Sequence, residues 1–329
     1  MRRKVLLTEN IHESGTQYLT NQGYEIVQGS GISEDTVCRE ITDCDAVLTR
    51  NAHITEKVMQ SAPKLKVIAV HGVGVDIVNV EAATERGIYV VNAAGSNSLS
   101  VAEYTIGLIL GLARNIPLYD REMRGGNSTI RKTAGFDLEG KTLGIVGMGN
   151  IGSQVAKKAS LGFGMRVIGY KRRVAAHIQD GVEWTASLEH VIRQADFLSL
   201  HVPYTAGTEK LIGERELAMM KPGSYLINTA RGEVVDSEAL IRSLRSGHLA
   251  GAALDVFEGA FPGQDHPLMQ FPHVIITPHT AAFTNESLER MALYAAVGVD
   301  EVLSGKEPTR AVNDPEPTDC GEDSLEDAG

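Results

Sequence analysis

The stretch Lys141-Thr-Leu-Gly-Ile-Val-Gly-Met-Gly-Asn-Ile-Gly152 decides the fold. Leu143, Ile145 and Val146 form a short apolar run suited to a buried parallel strand. Gly147, Gly149 and Gly152 follow at G-x-G-x-x-G spacing, and Ile151 with Val155, four apart, opens a helical face. In a strand–turn–helix context each glycine has a task. Gly147 permits the tight turn, Gly149 lets a pyrophosphate reach the backbone, and Gly152 lets the helix pack close to the strand. Gly147, Gly149, Asn150, Ile151 and Gly152 are therefore expected to hold a dinucleotide. The free N–H groups and positive end of the helix would face its phosphates.

The rest of the chain leaves room for such a domain and a second one. Its 329 residues are 43% hydrophobic and 22% charged, an ordinary globular composition. A net charge of −11 argues against nucleic acid as a partner. Between Glu307 and Gly329, eight acidic residues stand against one basic, with Pro308, Pro315 and Pro317 among them. That composition predicts a disordered acidic tail over 311–329. Cys38, Cys44 and Cys320 are odd in number and lack metal-ligand spacing, so no metal is expected and a reducing cytoplasm is. The basic start Met-Arg-Arg-Lys is followed by too short an apolar run for a signal peptide. The longest apolar candidate, Val101–Leu112, contains Glu103 and suits a core helix, so no membrane is expected either.

Working toward the N-terminus, Val5–Thr8, Glu25–Val27, Ala46–Leu48, Val67–Val70 and Tyr89–Val91 have strand character. Helical stretches such as Glu34–Ile41 and Thr55–Ser61 separate them. Alternation of this kind predicts a parallel sheet covered by helices. A long helix is expected from Asn97–Tyr104 to about Arg114, opened by a capping box of Ser100 and Glu103. Asp120–Glu139 carries little core signal and reads as a surface crossing or an arm around a partner. Beyond Lys141, strands are expected at Leu143–Val146, Arg166–Tyr170, Phe197–His201, Tyr225–Asn228, Ala252–Val256 and Val274–Thr277. Helices intervene, and Ser287–Leu303 closes the chain as an amphipathic helix. Ligands of such doubly wound sheets bind beyond the carboxyl ends of the strands.

Further motifs stand at those strand ends: His201-Val-Pro203, Asn228-Thr-Ala-Arg-Gly-Glu-Val-Val-Asp236, Gly251-Ala-Ala-Leu-Asp-Val-Phe-Glu258 and Thr277-Pro-His-Thr-Ala281. With Gly72-Val-Gly-Val-Asp76 and Ser100-Val-Ala-Glu103, they closely resemble the D-2-hydroxyacid dehydrogenase family over residues 1–310. The resemblance implies an α/β fold in which a Rossmann cofactor domain (97–285) is inserted into a flavodoxin-like substrate domain (1–96 and 286–310). It also implies an active site in the cleft between them, and a homodimer. Chains with this resemblance include phosphoglycerate dehydrogenases and glyoxylate/hydroxypyruvate reductases, so the implied substrate is a small 2-keto or D-2-hydroxy acid.

In the family's terms Arg231 is the catalytic arginine, whose planar fork suits a carboxylate and a keto oxygen. His279 is the general acid, or else a histidine satisfied in the turn after Pro278. Gly72, Val73 and Gly74 match the loop whose backbone N–H groups hold the substrate carboxylate. Arg50, after the strand 46–48, faces either a second anionic group or water. His201, Pro203, Thr229 and Ala230 lie in cofactor motifs. Asp255 is either a neighbour of the nicotinamide carboxamide or a buried strand-end cap.

Two departures stand out. The family pairs its histidine with a glutamate at the position occupied here by Ala260. Either Glu258 or another acid substitutes, or an unpaired His279 works with a more acidic optimum for reduction. The third option is a catalytically weakened cofactor-binding regulator. The second departure concerns the ribose: an NAD site expects an acid about 20 residues after the glycines. The strand Arg166–Tyr170 runs instead into Lys171, Arg172 and Arg173. That cluster favours the 2′-phosphate of NADP(H), with NAD(H) as the alternative and a solvated basic loop as the bland one.

Overall fold

Short buried strands, each too apolar to face water, set the architecture. The computed structural model describes residues 2–174, 177–179, 181–259 and 261–315. The chain forms two compact units: Met1–Asn97 with Thr284–Gly329, and Ser98–Phe283.

The first unit begins with β1 (Lys4–Leu7), α1 (Glu13–Asn21), β2 (Glu25–Gln28), α2 (Glu34–Glu40) and β3 (Ala46–Thr49). It continues through α3 (Glu56–Gln60), β4 (Val67–Val70), α4 (Val80–Glu85) and β5 (Tyr89–Asn92). The second unit holds α5 (Ser98–Ala113), α6 (Ile116–Arg124), β6 (Thr142–Val146), α7 (Asn150–Phe163) and β7 (Arg166–Tyr170). Then come β8 (His177–Gln179), β9 (Val182–Thr185), α8 (Leu188–Gln194), β10 (Phe197–Leu200) and α9 (Glu214–Met219). It ends with β11 (Ser224–Asn228), α10 (Ser237–Arg245), β12 (Leu249–Leu254) and β13 (Val274–Ile276). Helix α11 (Asn285–Leu303) returns the chain to the first unit.

The first sheet has the order β2-β1-β3-β4-β5, all parallel, as in flavodoxin-like folds. Alternate residues feed two cores. Leu6, Val47, Ile68 and Val90 pack with Val37, Ile41, Val58 and Ala83 of the helices on one face. Val5, Leu7, Leu48, Ala69 and Val91 pack with Leu19, Ala295 and Val299 on the other. Burial on both faces explains why these strands read as apolar runs.

The second sheet has the order β13-β12-β11-β10-β6-β7-β9-β8. The chain winds outward from β6 in one direction and from β10 in the other. The switch point therefore lies between the carboxyl ends of β6 and β10, where the glycine turn stands. Strands β8 and β9 are additions to the expected set, and β8 runs antiparallel at the edge. Their segment mixes His177, Glu183 and Trp184 with few apolar residues, too polar a pattern for a buried strand.

Two local expectations change. Helix α5 begins at Ser98, which places Ser100 inside it, and Glu103 reaches Lys158 of α7 at 3.0 Å rather than turning back to cap. Pro117 lies in the first turn of α6, where its missing N–H costs nothing, so part of the expected surface crossing is helix. At the C-terminus the first residues of the expected tail, 311–313, pair with the first unit instead. Ala311 bridges Val91, and the Val312 N–H donates to the Val90 carbonyl at 2.8 Å. The Asn313 side chain accepts from the Val90 N–H and donates to Thr84 and Ile88. Residues 316–329 lie outside those described. Among the described residues no helix is long and apolar enough to cross a membrane.

Helix α11 is locked to the first unit through Asp300, 8% exposed, which accepts from Tyr24 at 2.8 Å and Tyr18 at 3.2 Å. Burial, then the hydrogen bond to Asp300 and its charge, push the Tyr24 phenol up to about 12. A raised phenol pKa favours the folded state below the ordinary phenol range, and the advantage disappears as pH climbs through about 12. Tyr24→Phe is expected to cost ~1 kcal/mol in thermal melts, with Tyr18 still holding Asp300. An ultraviolet absorbance titration of that variant should lack the late-titrating phenol.

Candidate active site

The glycine turn is shaped by contacts that exclude a side chain. Gly147 has φ +103°, and a Cβ there would lie 2.6 Å from the His201 carbonyl oxygen. A Cβ on Gly152 would lie 2.1 Å from the Gly147 carbonyl oxygen, so the first turn of α7 rests directly on the loop. Gly149 is the opposite case: nothing stands within 4 Å of its would-be Cβ. It also caps α7 without a side-chain hydrogen bond, leaving the helix's first amides open beside an accessible backbone. Asn150 and Ile151 form the first turn above it. These residues fit a dinucleotide pyrophosphate.

His201 continues the ladder by donating its N–H to the Val146 carbonyl at 2.8 Å. Its ring Nε2 lies 2.9 Å from Ser199 Oγ, and Nδ1 is sealed from solvent with no protein partner. Burial pulls its pKa down to about 3, so the ring is neutral. The Pro203 carbonyl accepts from Thr208 Oγ1 at 2.7 Å, and that hydroxyl accepts from the Thr205 N–H. The loop after β10 is thus tied to itself. Lys171, Arg172 and Arg173 are exposed just beyond β7. The Arg172 guanidinium lies 3.6 Å from where a Cβ on Gly207 would stand, so it reaches toward the loop after β10.

Three neighbouring strand ends carry the chemistry-bearing side chains: β11 leads to Arg231, β12 to Asp255, and β13 to His279. Asn228 shapes the first loop by donating to the Arg231 carbonyl at 2.8 Å and accepting from the Ala230 N–H at 3.0 Å. Thr229 Oγ1 meets Thr105 Oγ1 of α5 at 3.1 Å, and the Arg231 guanidinium donates to the Ala230 carbonyl at 2.7 Å. Gly232 lets this loop touch the next one, since a Cβ there would overlap the Phe257 carbonyl carbon at 1.9 Å.

Asp255 is wholly buried. Its carboxylate accepts from Thr277 Oγ1 at 2.6 Å, the Thr280 N–H at 3.0 Å and the Ala281 N–H at 2.9 Å. This geometry is that of a strand-end cap. Its carbonyl accepts from the His279 N–H at 2.9 Å. His279 itself is exposed and held at φ +54°, a left-handed conformation that a non-glycine residue adopts only under constraint. Glu258, one proposed substitute for the family's glutamate, points its carboxylate at Lys210 Nζ, 3.6 Å away. Ala260 lies outside the described residues.

The remaining candidates lie in the first unit. The Gly72 N–H turns back to the Val70 carbonyl at 2.8 Å, the Gly72 carbonyl accepts from the Ala93 N–H at 2.7 Å, and the Val73 carbonyl accepts from Asn92 Nδ2 at 2.7 Å. The carbonyls are thereby turned inward. Among the described residues the Val73 and Gly74 N–H groups have no protein acceptor. Arg50 follows β3, its N–H bonded to Glu9 at 3.3 Å. Asn92 escaped the sequence argument; its signal was an asparagine closing an apolar run, the position Asn228 also holds.

Residues 106–281 match the family model "D-isomer specific 2-hydroxyacid dehydrogenase, NAD binding domain". The chain is 40% identical over 315 residues to the D-3-phosphoglycerate dehydrogenase of Methanocaldococcus jannaschii, covering 95% of this chain and 60% of that protein. It therefore spans less than two thirds of that relative. It is 38% identical to the glyoxylate reductase of Thermococcus litoralis, covering 95% of this chain and 97% of that protein. A solved NADPH-dependent glyoxylate/hydroxypyruvate reductase from Sinorhizobium meliloti, complexed with NADP and malonate, superposes with a TM-score of 0.85. It is 28% identical and covers 95% of this chain and 97% of that one.

The glycines make separable predictions. Gly152→Val forces a side chain into the turn and should cost at least about 1–3 kcal/mol in thermal melts. Gly149→Val meets open space, so it should melt close to wild type yet weaken dinucleotide binding about ten-fold or more. Energy transfer from Trp184, the sole tryptophan, to a bound reduced nicotinamide reads the affinity.

Proposed function

The chain belongs to the D-isomer-specific 2-hydroxyacid dehydrogenase family, and we propose that it reduces a small 2-keto acid to the D-2-hydroxy acid with NADPH. The observation that carries this reading is the trio of adjacent strand ends, with Arg231 and His279 on either side of a buried, saturated Asp255. Bound reduced nicotinamide supplies the hydride. Arg231 grips the keto oxygen and draws charge onto it. His279 delivers the proton to that oxygen. The Val73 and Gly74 amides take the substrate carboxylate, and Arg50 is the cation for a second anionic group where the substrate has one. Asp255 acts on the reaction by holding the turn that carries His279.

Cofactor choice rests on the end of β7. No acid stands after Tyr170 to hold a ribose hydroxyl or repel a 2′-phosphate, whereas Lys171, Arg172 and Arg173 can bind one. The Sinorhizobium meliloti relative, described as NADPH-dependent, fits the same choice. The exposed Ile116 and Met123 of α6 suit a homodimer contact. Free Cys38 and Cys44 suit a reducing cytoplasm.

Loss of NADPH absorbance with glyoxylate, hydroxypyruvate, pyruvate and phosphohydroxypyruvate tests the activity directly. Turnover of at least one is expected; none, alongside measurable cofactor binding, would favour the regulator. Arg231→Ala should lower kcat/KM roughly 100- to 1,000-fold. Arg172→Ala should raise KM for NADPH roughly ten-fold while changing KM for NADH little; a wild-type preference for NADH would sink the cofactor assignment. Ala260→Glu places a carboxylate where the family's glutamate stands, so the alkaline limb of the reduction profile should move to higher pH.

A further inference from the structure

The first unit contains a buried imidazole that the roles assigned so far leave idle. His71 follows β4 directly and stands immediately before Gly72. It is 5% exposed, and neither ring nitrogen makes a protein hydrogen bond. Only its main chain is engaged, the N–H donating to the Thr49 carbonyl at 2.8 Å. A buried group of this kind is retained only where something outside the protein satisfies it, whether water or ligand.

Its surroundings define what that something is. The β1, β3 and β4 registers, extended by one residue past Thr49↔Val70 and by two past Leu7↔Leu48, set Glu9, Arg50 and His71 in one row. All three continue the face that carries Leu7, Leu48 and Ala69. Glu9 is spent on the neighbouring loop: its carboxylate accepts from the Asn51 N–H and Asn51 Nδ2, both at 2.6 Å, and from the Arg50 N–H. Burial, then the Arg50 charge, pull the His71 pKa down to about 4, against weaker opposing pulls from its own main chain, Glu9 and the Leu288 main chain. The ring is therefore neutral, with one N–H donor and one acceptor. Two residues along the chain, the Val73 and Gly74 amides offer a carboxylate site. In a 2-keto acid, C3 lies two bonds from the carboxylate carbon.

We propose that the imidazole of His71 hydrogen-bonds an oxygen on C3 of the substrate. The chain thereby selects 2-keto acids with a 3-hydroxyl or a 3-phospho group over those whose C3 is bare or missing. This rests on the proposed reductase activity and narrows its substrate class. A substrate lacking that oxygen leaves the buried ring unmet, which is the arrangement that discriminates most strongly against the smaller analogue. Both oxygens present the same chemistry to the ring; the phosphate would additionally draw on Arg50.

The test compares kcat/KM for hydroxypyruvate, phosphohydroxypyruvate and pyruvate in wild type, His71→Leu and His71→Gln, each checked for folding by circular dichroism and melting. Wild type should favour hydroxypyruvate over pyruvate at least about ten-fold. His71→Leu should bring that ratio to within about three-fold of unity, and His71→Gln, which keeps a donor and an acceptor, should fall between. An Arg50→Ala arm separates the sources: loss confined to phosphohydroxypyruvate identifies the phosphate, and no such loss identifies the hydroxyl. A hydroxypyruvate-to-pyruvate ratio unchanged in His71→Leu overturns the proposal. If wild type turns over none of these acids, the activity reading fails instead, and binding decides. D-glycerate should then raise the wild-type melting temperature more than D-lactate does, with the difference lost in His71→Leu; equal shifts overturn the proposal.

Discussion

One buried carboxylate organises the carboxyl edge of the second unit's sheet. Asp255 has no exposed surface, so its charge is tolerable only because a hydroxyl and two amides converge on it. Those donors come from Thr277, Thr280 and Ala281, the residues around His279. The carboxylate therefore fixes the turn on both sides of the histidine, while the Asp255 carbonyl takes the histidine's own N–H. The left-handed backbone at His279 is a cost of order 1 kcal/mol that this over-determined strap absorbs. Breaking any one donor would relax a conformation that nothing local favours.

The glycine turn works by the reverse logic, through absence of side chains. Gly147 and Gly152 are required by contacts inside the protein, Gly149 by the space it leaves outside. A search for stability would keep the first two and be indifferent to the third. That asymmetry distinguishes a turn built to receive something from one that merely packs. The same comparison separates Gly232, whose missing Cβ lets the Arg231 loop lie on Phe257, from an ordinary loop glycine.

Much of this was legible in the sequence because strands buried on both faces are continuous apolar runs, as at Val67–Val70. Strand-end motifs are legible for a related reason: a loop touching ligand needs particular residue types at particular offsets. What was not legible depends on tertiary partners. Strand β9 is polar by pattern and exists because β7 offers it a ladder. Glu103 looked like a capping residue until Lys158 of α7 came within 3.0 Å of it. Ala311–Asn313 read as tail because composition cannot reveal that Val90 and Thr84 lie where an asparagine can bind them. The idle ring of His71 was invisible too, since burial without a partner is a property of packing alone.

Ala260 separates two tasks that the family's glutamate combines. A carboxylate beside a catalytic histidine both orients the ring and favours its protonated form. In this chain the main-chain strap from Asp255 fixes where the ring hangs from, while its carboxylate takes three other donors. Glu258 does not restore the charge either, being turned to Lys210. Orientation at the backbone level is thus built into the fold, whereas the family's glutamate is replaced in the sequence by Ala260.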